Sequence, residues 1–490
     1  MNLIPFGQVG PDRSEFDPNF CSVIENVFPA SGSFTPFPRF DVFSTAMPAR
    51  PQGAFLAVEG SGSWSLFTGT STALYKFNGA TLGWTDVSGA GAPFSLADDG
   101  KWSFRQFGDI VVAANGVNDL QSYDLSTPTT FAPLSATAPR SKYLEVLGDF
   151  LLAVNLTTND RGIHWSGLND ATFWTPRQRS SDFQIFPDDG EIQGTAAGPN
   201  GIVIFHEHCI REGALDLESP LVMRFRKTVD RHGSHAAKSI VTTGGGTFYL
   251  SQEGFYKYGT PPIGIGVDRV DRFFWEDVAF NEIFNVYGSE DPERKIVYWA
   301  YGSKSNTLPR SYDKVLAYHY GIDRWSLLRP GIFMTGLIDA VTPGYTMETL
   351  DSLGYTMETL PFSLDSRAWT GSLPTLAAFN DNFELGFFSG SPLQAILQTG
   401  DVAMSAGKRT FVNGFRPLTD APTSTGRVAV KDYAGQARSW KASNAISTRT
   451  GLIPARASGR FHRFEVTIPA GATWGHIHGV EPAGTSEGEQ

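Results

Sequence analysis

The strongest constraint on this chain is a repeat. Residues 107–115 read FGDIVVAAN and residues 147–155 read LGDFLLAVN, forty positions later. A period near forty holds about four short strands with their turns, which is the blade of a β-propeller. Cut at that spacing, the chain yields six units. The first, 52–88, holds AFLAV, WSLFTG, ALYKFN and WTDV, and the second, 101–134, holds WSFRQF, DIVVAAN, LQSYDL and FAPL. The third, 142–176, holds YLEVL, FLLAVN, IHWSG and TFWTP, and the fourth, 191–227, holds IQGTAA, GIVIFHE, CIREGA and VMRFRK. The fifth, 239–266, holds SIVTT, TFYLSQ, GFYKYG and PIGIG, and the sixth, 285–328, holds NVYGSE, KIVYWAY, KVLAYHY and RWSLL.

Each unit has one continuously apolar strand, as an inner strand covered on both faces requires. Alternation of the kind seen at Trp102, Phe104 and Gln106 is expected of outer strands. One blade cannot bury its own faces, but a stack of blades can. Strands within 376–400 (LAAFN, FELGFFSG, LQAILQTG) supply a possible seventh blade, with the segment 32–43 available to close the ring against it. The expected fold is therefore all-β: a propeller of six or seven blades over 51–400, with an N-terminal segment, 1–50, partly closing it.

Composition agrees. The 52 Gly and 30 Pro supply turns, and 37 Phe, 15 Tyr and 11 Trp favour strands, whereas only 18% of residues are charged. A hydrophobic share of 41% builds a large core, which excludes a coiled coil, a helical bundle and a disordered chain. The net charge of −11 disfavours a sequence-reading nucleic-acid binder, which needs a basic face, but suits a surface that DNA slides past. Cys21 and Cys209 cannot form a disulfide framework and point to folding in a reducing cytoplasm. The opening MNLIPFGQVGPDRSEF does not read as a signal peptide. No apolar run approaches the length of a membrane-spanning helix.

Two regions depart from the repeat. GYTMETL occurs at 344–350 and again at 354–360, which marks 340–372 as an insertion loop, either a plain surface excursion or a partner- or channel-facing arch. From 401 to 483, RTFVNGF, GRVAVKDY, SWKASNA and RFHRFEVTIPAG read as a small antiparallel sandwich or barrel, with Arg456, Arg460 and Arg463 close together. Residues 484–490 read as a flexible tail.

Candidate chemistry is sparse. His206, Glu207, His208 and Cys209 form HEHC, and two histidines two apart share one face of a strand, a geometry open to a metal. No second His/Cys cluster accompanies them, so a strand facing a neighbouring blade and solvent explains them as well. Asp188, Asp189 and Glu191 flank Pro187 and Gly190; paired acids serve glycosidases and calcium sites, but a solvated Asp–Gly turn is the plainer reading. Asp230, Arg231, His232, Gly233, Ser234 and His235 form a polar linker between the fourth and fifth units. Gly244, Gly245 and Gly246 make a tight turn without the ending of a phosphate loop. Gly484, Thr485, Ser486, Glu487 and Gly488 match GxSxG but lack the strand-to-helix context of a nucleophile elbow. SLADDGKW at 95–102 has the wrong spacing for the Asp box of propeller hydrolases. Trp165, Trp174, Tyr318, Tyr320 and Trp325 are read as core rather than as a sugar platform. No catalytic, cofactor-binding or metal-binding residue is assigned, and the chain is read as not an enzyme.

Several stretches resemble a known family. NLIPFGQVGPD at the start, VIENVFPASGSFTPFPRF at 23–40, IHWSGLNDATFWTP at 163–176 and SSDFQIFPDDG at 180–190 resemble a family of tailed-phage and prophage structural proteins. So do GFRPLTDAP at 414–422 and VTIPAGATWGHIHGVEPAGTSEG at 466–488. The family is similar in layout to the tail hub or nozzle proteins of short-tailed phages, also described as packaged-DNA stabilisation proteins. That resemblance implies a virion tail protein, assembled in the host bacterial cytoplasm as a ring of six copies beneath a twelve-subunit adaptor and portal. Each subunit would carry its propeller outward and its smaller β-domain near the channel. The ring would extend the DNA conduit without reading its sequence, help retain packaged DNA and anchor tail fibres or spikes. The family supplies no catalytic residues, and the doubled GYTMETL is a departure from it. The alternative is a receptor- or carbohydrate-binding tail component, which would need exposed aromatic side chains; a propeller hydrolase is a weaker third.

Overall fold

Seven four-stranded antiparallel blades, six of them separate sheets and one part of a ten-stranded sheet, stand around one axis in the computed structural model, which describes residues 3–60, 63–127, 129–198, 201–216, 222–340, 375–405 and 407–486. Blade one runs from Ala54–Val58 at the axis to Gly83–Asp86 at the rim, and blade two from Ser103–Phe107 to Ala132–Pro133. Blade three runs from Ser141–Leu147 to Asp182–Ile185, blade four from Ile192–Gly198 to Met223–Asp230, and blade five from Val241–Thr243 to Ile263–Gly264. Blade six begins at Tyr287–Asp291 and passes through Arg324–Leu328. Blade seven comprises Met334–Ala340, Thr375–Asn380 and Leu385–Pro392, and its rim strand is Pro38–Val42 from the N-terminal segment. The innermost strands pack in sequence order and blade seven returns to blade one, so the ring closes. Pairing the last blade with an early strand leaves no open seam between first and last blades.

The forty-residue repeat has a local cause. In both copies a glycine with positive φ (Gly108 at 60°, Gly148 at 56°) turns the chain from the innermost strand into the second one. The second strands, Ile110–Ala114 and Phe150–Leu156, are the apolar ones, because both of their faces are covered by neighbouring blades. The alternating strand of Trp102, Phe104 and Gln106, expected at the rim, lies at the axis instead. There one face meets each neighbouring blade: Phe104 stacks on Phe55 of blade one, while Arg105 pairs with Glu145 of blade three at 3.0 Å. A second correction concerns TFWTP, which is turn rather than strand; the fourth strand of blade three is Asp182–Ile185, whose side chains are largely exposed. Five of the six units have all four strands where the sequence puts them.

The smaller domain is a two-sheet sandwich, and it recruits more of the chain than 401–483. One sheet carries Ile453–Gly459, Thr410–Thr419 and Ile477–Ser486, followed by Ser33–Pro36 and Val27–Ala30 from the N-terminus, with Ile4–Pro5 also paired to Ile477–Ser486. The other carries Val23–Glu25, Ala395–Gln398, Phe461–Ile468 and Thr425–Lys431, and is continuous with blade six through Leu327 and Glu25. Hence the N-terminal segment does two jobs, closing blade seven and completing the sandwich. The tail expected at 484–490 is strand up to Ser486, paired with Thr410. The insertion expected at 340–372 lies almost wholly outside the described residues; the chain leaves blade seven at Ala340 and re-enters at Thr375.

Sandwich and propeller share one core. Phe415, Phe464 and Val466 of the sandwich belong to the same buried cluster as Phe255, Trp299 and Trp325 of blades five and six. Each such side chain, fully buried, stabilises by about 1.5–3 kcal/mol. Arg324 stitches the junction, its guanidinium donating to the carbonyls of Ala30 at 2.6 Å and Gly7 at 3.1 Å.

Candidate functional site

HEHC spans a hairpin, not a strand. His206 ends the second strand of blade four, Glu207 and His208 form the turn, and Cys209 starts the third strand. His206 is buried and His208 is exposed, so the two rings do not share a face. The nearby acids split as well. Asp188 is exposed, but Asp189 is only 1% exposed, which overturns the solvated-turn reading. Gly190, with φ at 78°, folds the chain so that the Asp189 carboxylate enters blade four, where it meets both Arg211 and Lys227. Burial pushes the Asp189 carboxyl up, and the hydrogen bonds from Lys227 and Arg211 outweigh it and hold the group below its usual range.

Asp189, His206 and Cys209 bring ligand atoms within 4.8 Å of one another. The carboxylate there already neutralises two cations, burial lowers the His206 pKa, and burial pushes the Cys209 thiol up to about 12. A third cation would meet Arg211 and Lys227 at close range, so the donor set fits an ion-paired tie across the blade better than a metal centre. Glu191 goes elsewhere, to Lys142 and to the Asn155 amide at 2.9 Å.

The remaining sequence candidates are structural. Trp165, Trp174, Tyr318 and Trp325 are buried, and both indoles of WSGLNDATFW donate to backbone carbonyls, Ser180 and Ala171 respectively. Tyr320 is half-buried and donates to Glu290 at 3.0 Å. Gly244 and Gly245 are a two-residue turn between strands, as read. Ser486 sits in a strand, so the GxSxG match has no elbow. The arginines of the small domain do not make a patch: Arg456 and Arg460 are exposed, but Arg463 is buried. Arg463 donates to Asp401 at 2.8 Å, and Lys431 and Arg438 hold the same carboxylate. Burial raises the Asp401 pKa, and bonds from Arg438 and Lys431 bring it below its ordinary value. Glu15 of the N-terminal segment joins through Arg438 and Lys431, so this network pins the N-terminus to the sandwich.

The concave feature that suits a ligand lies on the propeller axis. A cavity of about 620 Å³ is walled by the first strands of blades one to four, including Phe55, Arg105, Tyr143 and Thr195, and by Lys238 and Phe284. A smaller recess beside it shares Ala54, Gly100, Lys101 and Lys238 and adds Arg50, Tyr287 and Thr335. The walls are the residues that lead into each innermost strand. SLADDGKW, which fails as an Asp box, forms part of this mouth: Asp98 pairs with Arg310, the Asp99 carbonyl accepts from Lys238, and Lys101 lines both spaces. The sequence did carry a signal here. Lys101, Lys142 and Lys238 each stand near the start of a blade's innermost strand, although not at one register of the repeat.

No family model and no curated protein matches this chain. Solved structures with partial likeness include the computationally designed Ika8 protein, at 9% identity and a TM-score of 0.35 over 71% of this chain and 98% of that one. Hsv2 from Kluyveromyces lactis aligns at 11% identity and a TM-score of 0.34 over 71% and 93%. YCF48 bound to D1 peptide aligns at 10% identity and a TM-score of 0.34 over 58% and 84%. Likeness at this level carries no argument about function; the fold assignment rests on strand order and ring closure. Among the described residues, no helix is long and apolar enough to cross a membrane.

Proposed function

We propose that this chain is a structural subunit of a phage tail, a nozzle or hub ring that continues the DNA channel below portal and adaptor. In this reading six copies form the ring, which helps retain packaged DNA and anchors fibres or spikes. The family resemblance of the sequence motivates it. The observation that carries it is the junction: the sheet of blade six runs on into the sandwich, over one shared core. A part that bears internal pressure needs two bodies without a hinge between them, and a continuous sheet over a common core provides that. A cyclic ring would use head-to-tail faces that close by rotation.

The carbohydrate-binding alternative needs an exposed aromatic platform; Trp165 and Trp174 are packed inward, and the exposed aromatics that remain for it include Phe280 and Phe284, the latter in the wall of the axial cavity. The test is omission. Particles assembled without this chain are expected to package DNA, then lose it and lack appendages. Normal, infectious, DNA-filled particles made without it would overturn the proposal.

A further inference from the structure

The mouth of the axial cavity gathers three cations that no carboxylate neutralises among the described residues. Arg50, Lys101 and Lys238 line one recess with Tyr287 and Thr335. The Lys238 ammonium donates to the Asn285 side-chain carbonyl at 2.7 Å and to the Asp99 backbone carbonyl at 3.2 Å, neither of them an anion. The Lys101 ammonium stands 4.4 Å over the Tyr287 ring. The Arg50 guanidinium donates to the Arg310 carbonyl, and its Nε is buried with no partner.

Most surrounding charges are already committed, and the Asp99 and Glu282 carboxylates offset the Lys238 charge only in part. Arg105 is matched by Glu145, Lys142 by Glu191 and Arg310 by Asp98. The Glu282 carboxylate accepts from the Arg310 N–H at 3.0 Å and the Asn285 amide at 3.0 Å. The cost of the arrangement shows in the lysines. Burial, then repulsion from Lys101 and Arg50, brings Lys238 down to about 7, and burial, then repulsion from Arg105, brings Lys101 down to about 8. A Cβ on Gly336, in the wall of the recess, would meet open space. Half-buried like charges around an open recess are what an anion would relieve.

We propose that this mouth binds a small molecule through a phosphate group, with Arg50, Lys101 and Lys238 as its donors. A planar guanidinium and two ammonium groups match a tetrahedral oxyanion; the recess they share is only about 20 Å³, so the body of the ligand would occupy the adjoining cavity of about 620 Å³, which Lys101 and Lys238 line but Arg50 does not. This site is independent of the ring assignment, and its failure would leave that assignment untouched.

The experiment is isothermal titration of the full chain with inorganic phosphate at constant ionic strength, balanced with chloride. Saturable binding is expected, weakened at least tenfold in K101M and in K238M and unchanged in K408M, whose lysine is exposed in the sandwich. Competition by ribose 5-phosphate would identify a phosphate ester as occupant, and absence of competition would identify the free ion. Because the lysines repel each other, K238M is expected to unfold at a higher temperature than wild type in chloride. Phosphate is expected to raise the wild-type midpoint but not that of K101M/K238M. No saturable binding, or equal binding in all variants, would overturn the proposal.

Discussion

Asp401 shows what a single carboxylate holds in this molecule. It is buried and meets Lys431, Arg438 and Arg463, two of which are buried with it. Removing its charge strands those cations, so Asp401→Asn is expected to cost about 3–5 kcal/mol in a urea titration. Asp271 works with the opposite sign. It is the first residue of the short helix Asp271–Asp277, accepts the Phe255 N–H at 3.1 Å and leaves its second oxygen buried without a hydrogen-bond partner among the described residues. Burial pushes its pKa up to about 7. A raised carboxyl pKa means a stability contribution present in full below about pH 4, where the unfolded group is also protonated, and lost as pH rises through about 7. Asp271→Asn keeps the acceptor for Phe255 and cannot ionise. Relative to wild type it is expected to gain stability between pH 4 and 7 and to level off above. A difference independent of pH would show that Asp271 has the same pKa in the folded and unfolded chain. Neither residue stood out in the sequence, because each gains its partners from segments far away, Asp401 from Arg463 and Asp271 from Phe255. HEHC and DDGE stood out by spacing, yet a hairpin turn and one left-handed glycine sent their side chains to different places.

At the scale of elements, blade closure depends on close backbone approach. A Cβ on Gly386 would lie 2.3 Å from the Asp41 carbonyl and 2.4 Å from the Phe40 ring, on the strand that completes blade seven. Gly386→Val is therefore expected to cost about 1–3 kcal/mol and to open the N-terminal strand to limited proteolysis. Unchanged protection of that strand would contradict the closure. Here the sequence was legible. The forty-residue repeat and one continuously apolar strand per unit mark the blades, and 32–43 is available to close the ring, as Pro38–Val42 does. TFWTP misled because aromatic and β-branched residues that usually mark strands here fill the core from a turn, with Trp174 buried. The true rim strand, DFQI, is polar and exposed and carries little periodic signal. The N-terminal strands of the sandwich were hidden for a related reason. They are two to four residues long, and apart from the local hairpin of Val27–Ala30 with Ser33–Pro36 their pairing partners lie hundreds of positions away.

At the scale of the whole molecule, propeller and sandwich share one core and one continuous sheet. Phe255 belongs to that shared core and packs between blades five and six, against Phe274, Trp299 and Trp325. Phe255→Ala is expected to cost about 3–5 kcal/mol and to shift a single calorimetric transition. Two separable transitions, with one unmoved, would show two independent units. A rigid body of this shape is what a ring under pressure requires, and the ring is the central claim. Its most direct test is quantitative mass spectrometry of purified particles, reading the ratio of this chain to the portal protein. The account predicts about one copy for every two portal subunits, the ratio that a sixfold ring beneath a twelvefold portal gives. A ratio of one or more, or absence of the chain from particles, would contradict it.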